Sequence, residues 1–170
     1  LGSSMPTWYG GWNNTVSYKN FDLNVFFRFS GGNKIMNASR QSALFNMDFS
    51  NNGTEILGRW ISPEQPGDGM TPKIGYGDAS SLFNDGYTDS HFVESGNYLK
   101  LSTLALGYTL PKAVVSKLNM TKIRFYVQGQ NLLTITGYSG LDPETNSRLG
   151  VDWNGMPQQR SFTFGANITF

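Results

Sequence analysis

The stretch that decides the fold is residues 161–170, SFTFGANITF. Every second residue is apolar, and the residues between them are small or polar. Because side chains of a β-strand alternate between its two faces, the pattern predicts a strand with one apolar and one polar face. The strand ends on Phe170, an aromatic side chain that the pattern requires to be packed, whereas soluble chains usually end in loosely held polar residues. The apolar set is Phe162, Phe164, Ala166, Ile168 and Phe170.

The same alternation occurs earlier, in WNNTVSYKNFDLNVFFRFS at residues 12–30, with Phe26 as the one apolar residue of polar parity. Between its two runs only Lys19 and Asn20 remain, which predicts a tight hairpin turn. Long alternating strands on short turns are typical of outer-membrane barrels, whose short turns lie on the periplasmic side. We predict strands near residues 12–19 and 21–36.

A second predicted hairpin covers residues 97–136. In its first strand the apolar parity changes between Leu101 and Leu104. One inserted residue at Ser102–Thr103, a β-bulge, would return the leucines to one face. Alternatively, the upper part of the strand lies above the membrane and needs no apolar face. Pro111 begins a connector that is long enough for a helical turn. We predict strands near residues 97–110 and 121–136, and the last strand near residues 160–170.

Residues 37–96 and 137–159 show no such period and are rich in Gly, Pro, Asn, Asp and Ser. Segments of this length are usually functional loops. A helical turn is predicted at Ser39–Phe45, and the many aromatic residues of the first loop indicate an ordered surface loop. With these strands, both long loops fall on one side of the sheet and the short turns on the other, as in outer-membrane barrels.

Composition restricts the class of protein. Charged residues make up 15% of the chain, against about 25% in a typical soluble domain. The apolar runs are far shorter than the ~20 residues of a spanning helix, so any membrane crossing must be made by strands. The net charge of +1 gives no electrostatic case for nucleic-acid binding. The chain has no Cys, which excludes disulfides and thiolate sites.

The predicted fold is therefore all-β, with about five C-terminal antiparallel strands of a large transmembrane barrel and long extracellular loops. Five strands cannot close a barrel, and an open sheet edge in lipid would leave backbone groups unpaired. We expect the missing strands to come from elsewhere in the same polypeptide. The first residues, LGSSMPTWYGGW, lack the pattern of a signal peptide. We accordingly expect this segment to be a piece of a longer chain.

Several ordered motifs resemble one family, the SusC/RagA family of TonB-dependent outer-membrane transporters of Bacteroidota. Motifs that occur together in one order are more specific than any one of them. Lys73 is a departure, because Arg is expected there. The motifs are YKNFDLNVFF (18–27), GRWISPEQPGDGMTPK (58–73), NYLKLSTLALGYTLPKAVVSKL (97–118), IRFYVQGQNLLTITGYSGLDPE (123–144) and RSFTFGANITF (160–170).

The resemblance implies a 22-stranded barrel with an N-terminal plug domain that lies outside residues 1–170. It implies import of oligosaccharides or peptides, energy supplied by the TonB complex through the missing N-terminal part, and a SusD-like surface lipoprotein as a lid. Outer-membrane lipids would contact the apolar faces of the strands. The end of the chain also resembles the signal by which such barrels are recognised for assembly. That signal would comprise Thr163, Gly165, Ile168 and Phe170.

Loop aromatics are the candidate contacts with substrate or lid, because aromatic rings stack on sugars and anchor interfaces. They are Trp60, Tyr76, Tyr87 and Trp153. The alternative is a structural role, in which these rings pack within their own loops and stabilise them. The single histidine, His91, supports no catalytic triad, and we expect a neighbouring group to satisfy it. No catalytic residue, cofactor or metal site is predicted.

The spacing of the acidic residues in the second loop gives little support for a metal site. Asp142, Glu144 and Asp152 do not match the ligand spacing of a calcium loop, and acidic residues are common in turns for conformational reasons.

One alternative function remains, a secreted carbohydrate-binding β-sandwich that presents Trp60 and Trp153 to sugars. In a sandwich, the apolar faces of two sheets pack on each other. In a transporter, the apolar face forms a lipid-facing belt.

Overall fold

The computed structural model describes residues 1–45, 51–73, 90–144 and 150–170, in which antiparallel strands dominate. None of the helices in these ranges is long and apolar enough to cross a membrane. The main elements, in chain order, are β1 (Trp8–Tyr18), β2 (Phe21–Gly31), β3 (Lys34–Asn37), α1 (Ala38–Phe45), β4 (Val93–Ser95), β5 (Tyr98–Thr109), α2 (Lys112–Val115), β6 (Lys122–Thr136), β7 (Val151–Asp152) and β8 (Ser161–Thr169).

Five long strands form one antiparallel sheet in the order β1-β2-β5-β6-β8. The turn between β1 and β2 is as tight as the sequence predicts, and Lys19 adopts a left-handed φ of 55° in it. A helical turn, α2, follows Pro111 in the connector between β5 and β6. Among the described residues, β1 and β8 each have one neighbouring strand and so form the two edges of the sheet.

The sheet has one apolar and one polar face, because residues paired directly across neighbouring strands point to the same side. Val127 of β6 lies between Leu106 and Phe164 on the apolar face. The next residue, Gln128, lies between Ala105 and Thr163 on the polar face. The apolar face is open, with Phe164 78% exposed, and no second sheet within the described ranges packs on it. This arrangement does not favour the β-sandwich alternative.

The β-bulge predicted in the first strand of the second hairpin is confirmed. Phe26 pairs with Thr103 and Phe27 with Leu101, so Ser102 is the inserted residue. The insertion returns the leucines on both sides of it to the apolar face.

The strand predicted through residues 21–36 is wrong in its second half. β2 ends at Gly31, and Gly32 adopts a φ of 81° that turns the chain away from the sheet. At Gly32 a Cβ atom would overlap the Thr7 hydroxyl oxygen, 1.8 Å away. The chain then continues as β3, which pairs with β4 and in parallel with β7. Alternation alone missed this break because Ile35 of β3 has the same parity as the apolar residues of β2.

The first strand begins at Trp8, earlier than the predicted residue 12. Two glycines near the start of β1 interrupt the alternation of apolar and polar side chains, so the pattern does not show where the strand begins. One of them, Gly11, lies under the ring of Phe26, and a Cβ there would be 2.8 Å from the ring. The residue of discordant parity, Phe26, therefore packs on the polar face over a strand position that has no side chain.

Most of the buried apolar residues lie outside the main sheet, several of them in an outer layer formed by β3, β4, β7, α1 and the 3-10 helix Thr54–Gly58. Ile35 of β3 and Phe92, just before β4, have no exposed surface. The helix α1 confirms the helical turn predicted at Ser39–Phe45. Both long loops supply this layer, since α1 and β4 lie within residues 37–96 and β7 lies within residues 137–159.

We expect Val127→Arg to destabilise the folded protein by about 2 to 4 kcal/mol if position 127 reaches the bilayer midplane, because Arg would face lipid. The matched control is Gln128→Arg, one residue along the same strand on the polar face, which should leave folding nearly unchanged. The measurement is the free energy of unfolding of the full-length protein in lipid vesicles. Equal effects of the two substitutions would mean that the apolar face does not meet lipid.

Candidate functional site

A buried ionic cluster fastens the second loop to the polar face of the sheet. Lys100 of β5 is 1% exposed, and its Nζ lies 3.0 and 3.2 Å from the two carboxylate oxygens of Asp142. It also donates a hydrogen bond to Glu144. The second loop is thus held by charge-assisted hydrogen bonds, which are stronger than bonds between neutral groups.

Two further residues of the sheet bind the same glutamate. The Arg28 Nη2 lies 2.9 Å from Glu144 Oε2, and the Tyr98 hydroxyl donates to Oε1 over 2.8 Å. We call Arg28, Tyr98, Lys100, Asp142 and Glu144 the loop clamp. Its two carboxylates, which the sequence offers as cation ligands, are bound to protein cations in this structure.

A second ionic group organises the outer layer around Arg40 of α1. Its guanidinium donates two hydrogen bonds to Glu55 and lies 3.3 Å from Glu94. Hydrogen bonding to Arg40 lowers the pKa of Glu55, and the same pairing raises the pKa of Arg40. His91 also lies here, with its Nε2 3.6 Å from Glu55 and 3.3 Å from Arg40. The expectation that a neighbour satisfies this loop histidine is confirmed.

Asp152 of β7 fixes the start of the segment that carries Trp153. The Tyr138 hydroxyl donates to its Oδ2 over 2.6 Å, and the backbone N–H of Asn154 donates to its Oδ1 over 2.9 Å. Burial and this hydrogen bond raise the pKa of Tyr138 well above its usual range. Asn154 adopts a left-handed φ of 64°. The backbone on both sides of Trp153 is therefore held in place.

A pocket of about 480 Å³ opens between the two loop regions. Arg40 and Glu55 come from the first loop region, and Asp152 and Asn154 come from the second. Charged side chains of both signs line this space beside apolar surface, so the pocket suits a ligand that combines apolar surface with a few hydrogen-bonding groups. The full lining is Asn37, Ser39, Arg40, Glu55, Ser139, Gly140, Leu141, Asp152 and Asn154.

The predicted contact residues differ in their surroundings. Trp153 is 75% exposed and follows the pocket residue Asp152. Trp60 is partly buried; its backbone N–H donates to Thr71 over 2.9 Å, and Lys73 Nζ lies 5.8 Å from its ring centroid. Trp60 thus packs within its own loop. Tyr76 and Tyr87 lie outside the described residues.

Ionic residues of the site were missed by sequence reasoning. Arg40 pairs with residues 15 and 54 positions away, and Lys100 with a residue 42 positions away. A signal was nevertheless present, since Arg28 and Lys100 are charged residues within long strands of a charge-poor chain. Such residues must face away from lipid and find partners.

The residues of the predicted assembly signal all lie in or next to β8. Thr163 and Gly165 have the polar parity, and a Cβ on Gly165 would lie 2.4 Å from the Tyr126 ring. Ile168 and Phe170 have the apolar parity and are exposed. Their role in assembly stays a prediction.

This geometry defines a class of protein. The five-stranded antiparallel sheet exposes an apolar face. Its polar face holds a folded loop through ion pairs between buried charged side chains. These are the properties of the wall of a transmembrane β-barrel with long loops on one side.

Comparison with known proteins shows that the chain is similar to TonB-dependent receptors. No family model matches the chain. TonB-dependent receptor P3 of Formosa agariphila is 32% identical over 180 residues, which cover 100% of this chain and 17% of that protein. TonB-dependent receptor SusC of Bacteroides thetaiotaomicron is 26% identical over 94% of this chain and 15% of its own length. The chain thus spans less than a fifth of these relatives.

Solved structures agree with the sequence comparison. The RagAB peptide importer in its closed-closed state matches 99% of this chain and 18% of the matched chain, with 27% identity and a TM-score of 0.84. Its open-open state matches 99% of this chain and 18% of the matched chain, with 26% identity and a TM-score of 0.80. The chain matches the C-terminal part of TonB-dependent receptors of the SusC/RagA family, and its location is the outer membrane.

We expect Lys100→Met to lower the free energy of unfolding of the full-length receptor by about 3 to 5 kcal/mol, because Asp142 would lose the charge that neutralises it while staying buried. Lys117→Met, at an exposed lysine, is the matched control and should change stability by less than about 0.5 kcal/mol. Denaturant unfolding in detergent measures both values. A loss at Lys100 as small as that at Lys117 would contradict the clamp.

Proposed function

We propose that this chain forms part of the wall and outer loops of a TonB-dependent importer that brings nutrients across the outer membrane. The observation that carries the proposal is its similarity to the RagAB peptide importer over 99% of the chain at a TM-score of 0.84. The matched proteins are receptors and importers, so we propose transport without catalysis.

The proposed substrates are oligosaccharides or peptides, and the similarity to RagAB, a peptide importer, supports the second class. The proposed partners are a SusD-like surface lipoprotein and the TonB complex, which would act through the N-terminal part of the protein. In a barrel of about 22 strands, the edges at β1 and β8 would pair with further strands of the same chain. The polar face would surround the plug, and outer-membrane lipids would contact the apolar face.

The proposed contact surface for substrate or lid includes Trp60, Tyr76, Tyr87 and Trp153, and the support is strongest for Trp153. Its ring is exposed beside a pocket that both loop regions line. Its backbone is held at Asp152 and Asn154, so ordering it on binding costs little conformational entropy. Rigid, exposed aromatic rings on ordered loops are effective anchors for sugars and for protein interfaces.

We expect Trp153→Ala in the full-length receptor to reduce nutrient-limited growth or to weaken co-purification of the surface lipoprotein, because an exposed anchor is lost. The matched control is Trp12→Leu, which changes an exposed tryptophan of the apolar face and should affect neither readout. The measurements are growth on the imported nutrient as sole source and recovery of the lipoprotein with the tagged receptor. Wild-type values for Trp153→Ala in both assays would rule out this contact.

Phe170 is proposed as part of the assembly signal, together with Thr163, Gly165 and Ile168. Deleting Phe170, or changing it to Asp, should reduce the amount of folded receptor in the outer membrane while leaving its export unchanged. Folded receptor is measured by its heat-modifiable mobility on gels. Phe162→Leu serves as the control, since it keeps an apolar side chain elsewhere on the same strand. Undiminished folded receptor after loss of Phe170 would refute this role.

A further inference from the structure

The turn end of the sheet, opposite the long loops, carries a shallow apolar groove of about 290 Å³. It lies on the apolar face, where the rings of Phe21 and Tyr108 meet with centroids 4.7 Å apart. Phe21 and Phe125 are each half exposed. Because this face meets lipid, an acyl chain can bind in the groove. The groove side chains of apolar parity are Phe21, Leu106, Tyr108, Phe125 and Val127.

The connector after β5 folds against this face. α2 packs on β6, and Val115 and Ile123 are only 2% and 6% exposed. Ile123 has the apolar parity of β6, so its burial indicates that the connector covers the apolar side of the strand. The neighbouring Val114 and Leu118 remain exposed. Exposed apolar residues interspersed with lysines are typical of segments that lie in a membrane interface.

Three exposed lysines lie at this end of the sheet, one in the turn between β1 and β2 and two in the connector. Lys19 holds its Nζ 5.3 Å from the ring centroid of Tyr18, which pairs with Phe21 at the groove. Lys112 and Lys117 are exposed on the connector beside Val114 and Leu118. Long lysine side chains of this kind can follow apolar surface while their ammonium groups stay at the polar interface.

Carboxylate side chains do not neutralise these lysines. In residues 17–23 and 106–126, all of which the structure describes, the one acidic side chain is Asp22. Asp22 has the polar parity and accepts a hydrogen bond of 2.9 Å from Arg124 on that face. The turn end therefore carries exposed lysines near an apolar groove, with no acidic side chain from residues 17–23 or 106–126 on its apolar face.

We propose that the groove and Lys19, Lys112 and Lys117 together bind an anionic glycerophospholipid of the inner leaflet. The short turns of such barrels lie on the periplasmic side, which places the lysines at the level of the inner-leaflet head groups. The acyl chain lies along the groove, and the lipid phosphate meets the ammonium groups. An anionic head group is selected over a zwitterionic one, since each lysine near the surface attracts net negative charge.

The test compares two lipids on the purified full-length receptor in detergent by native mass spectrometry. The probes are phosphatidylglycerol and phosphatidylcholine with the same acyl chains. We expect the wild-type receptor to retain phosphatidylglycerol about tenfold more strongly than phosphatidylcholine, and we expect K19Q/K112Q/K117Q to lose that preference. The matched control is Lys122→Gln, which removes a lysine of polar parity close to Asp22 and should keep the preference.

Two outcomes would overturn the proposal. One is a wild-type receptor that binds both lipids equally, and the other is a triple variant that keeps the wild-type preference. If the triple variant does not fold, as judged by its heat-modifiable mobility, the test is the salt dependence of the lipid preference of the wild-type receptor. The preference should fall as salt rises from about 0.05 M to about 1 M, because screening weakens attraction between exposed charges. A preference that does not change with salt would also overturn the proposal.

Discussion

The burial of Lys100 among carboxylates is the interaction on which the arrangement of the loops depends. Removing an ammonium group from water costs several kcal/mol, and only close, hydrogen-bonded partners offset that cost. Asp142 and Glu144 supply them from the second loop, and Arg28 and Tyr98 share the glutamate. Since Lys100 and Asp142 cannot separate without leaving a buried charge unpaired, the second loop is fixed against the sheet.

Fastening the second loop also fixes the outer layer. The clamp lies at Asp142–Glu144, shortly after Tyr138, whose hydroxyl holds Asp152. Asp152 belongs to β7, which pairs with β3 of the first loop region. The first region is then held by Arg40, which joins Glu55 and Glu94. Two segments that are distant in sequence thus form one pocket and one support for Trp153.

Sequence alone predicts the parts of this protein that depend on periodicity. Lipid on one side and polar groups on the other require a period of two, so the tight turn at Lys19 and the bulge at Ser102 could be inferred from parity. The break at Gly32 was missed because Ile35 keeps the apolar parity of β2 although β3 belongs to another sheet. The start of β1 was missed because Gly11 has no side chain to show which face it occupies. The ring of Phe26 lies over this position, where a Cβ atom would not fit.

The site was harder to predict, because charge pairing has no period. Nothing in the local sequence indicates that Arg28 and Glu144, 116 positions apart, share a hydrogen bond. Exposed aromatics such as Trp153 are visible in the sequence, but their exposure depends on the backbone held by Asp152. Trp60 is also a tryptophan in a predicted loop, yet it packs within its own loop. Residue type identified candidates, and only tertiary packing separated them.

The parallel pairing of β3 with β7 has a consequence for motion. A backbone hydrogen bond joins Met36 of β3 to Gly150, next to β7, so local unfolding of either strand breaks a bond of the other. We expect β3 and β7 to open as one unit, with amide protons that exchange with solvent through a shared opening event.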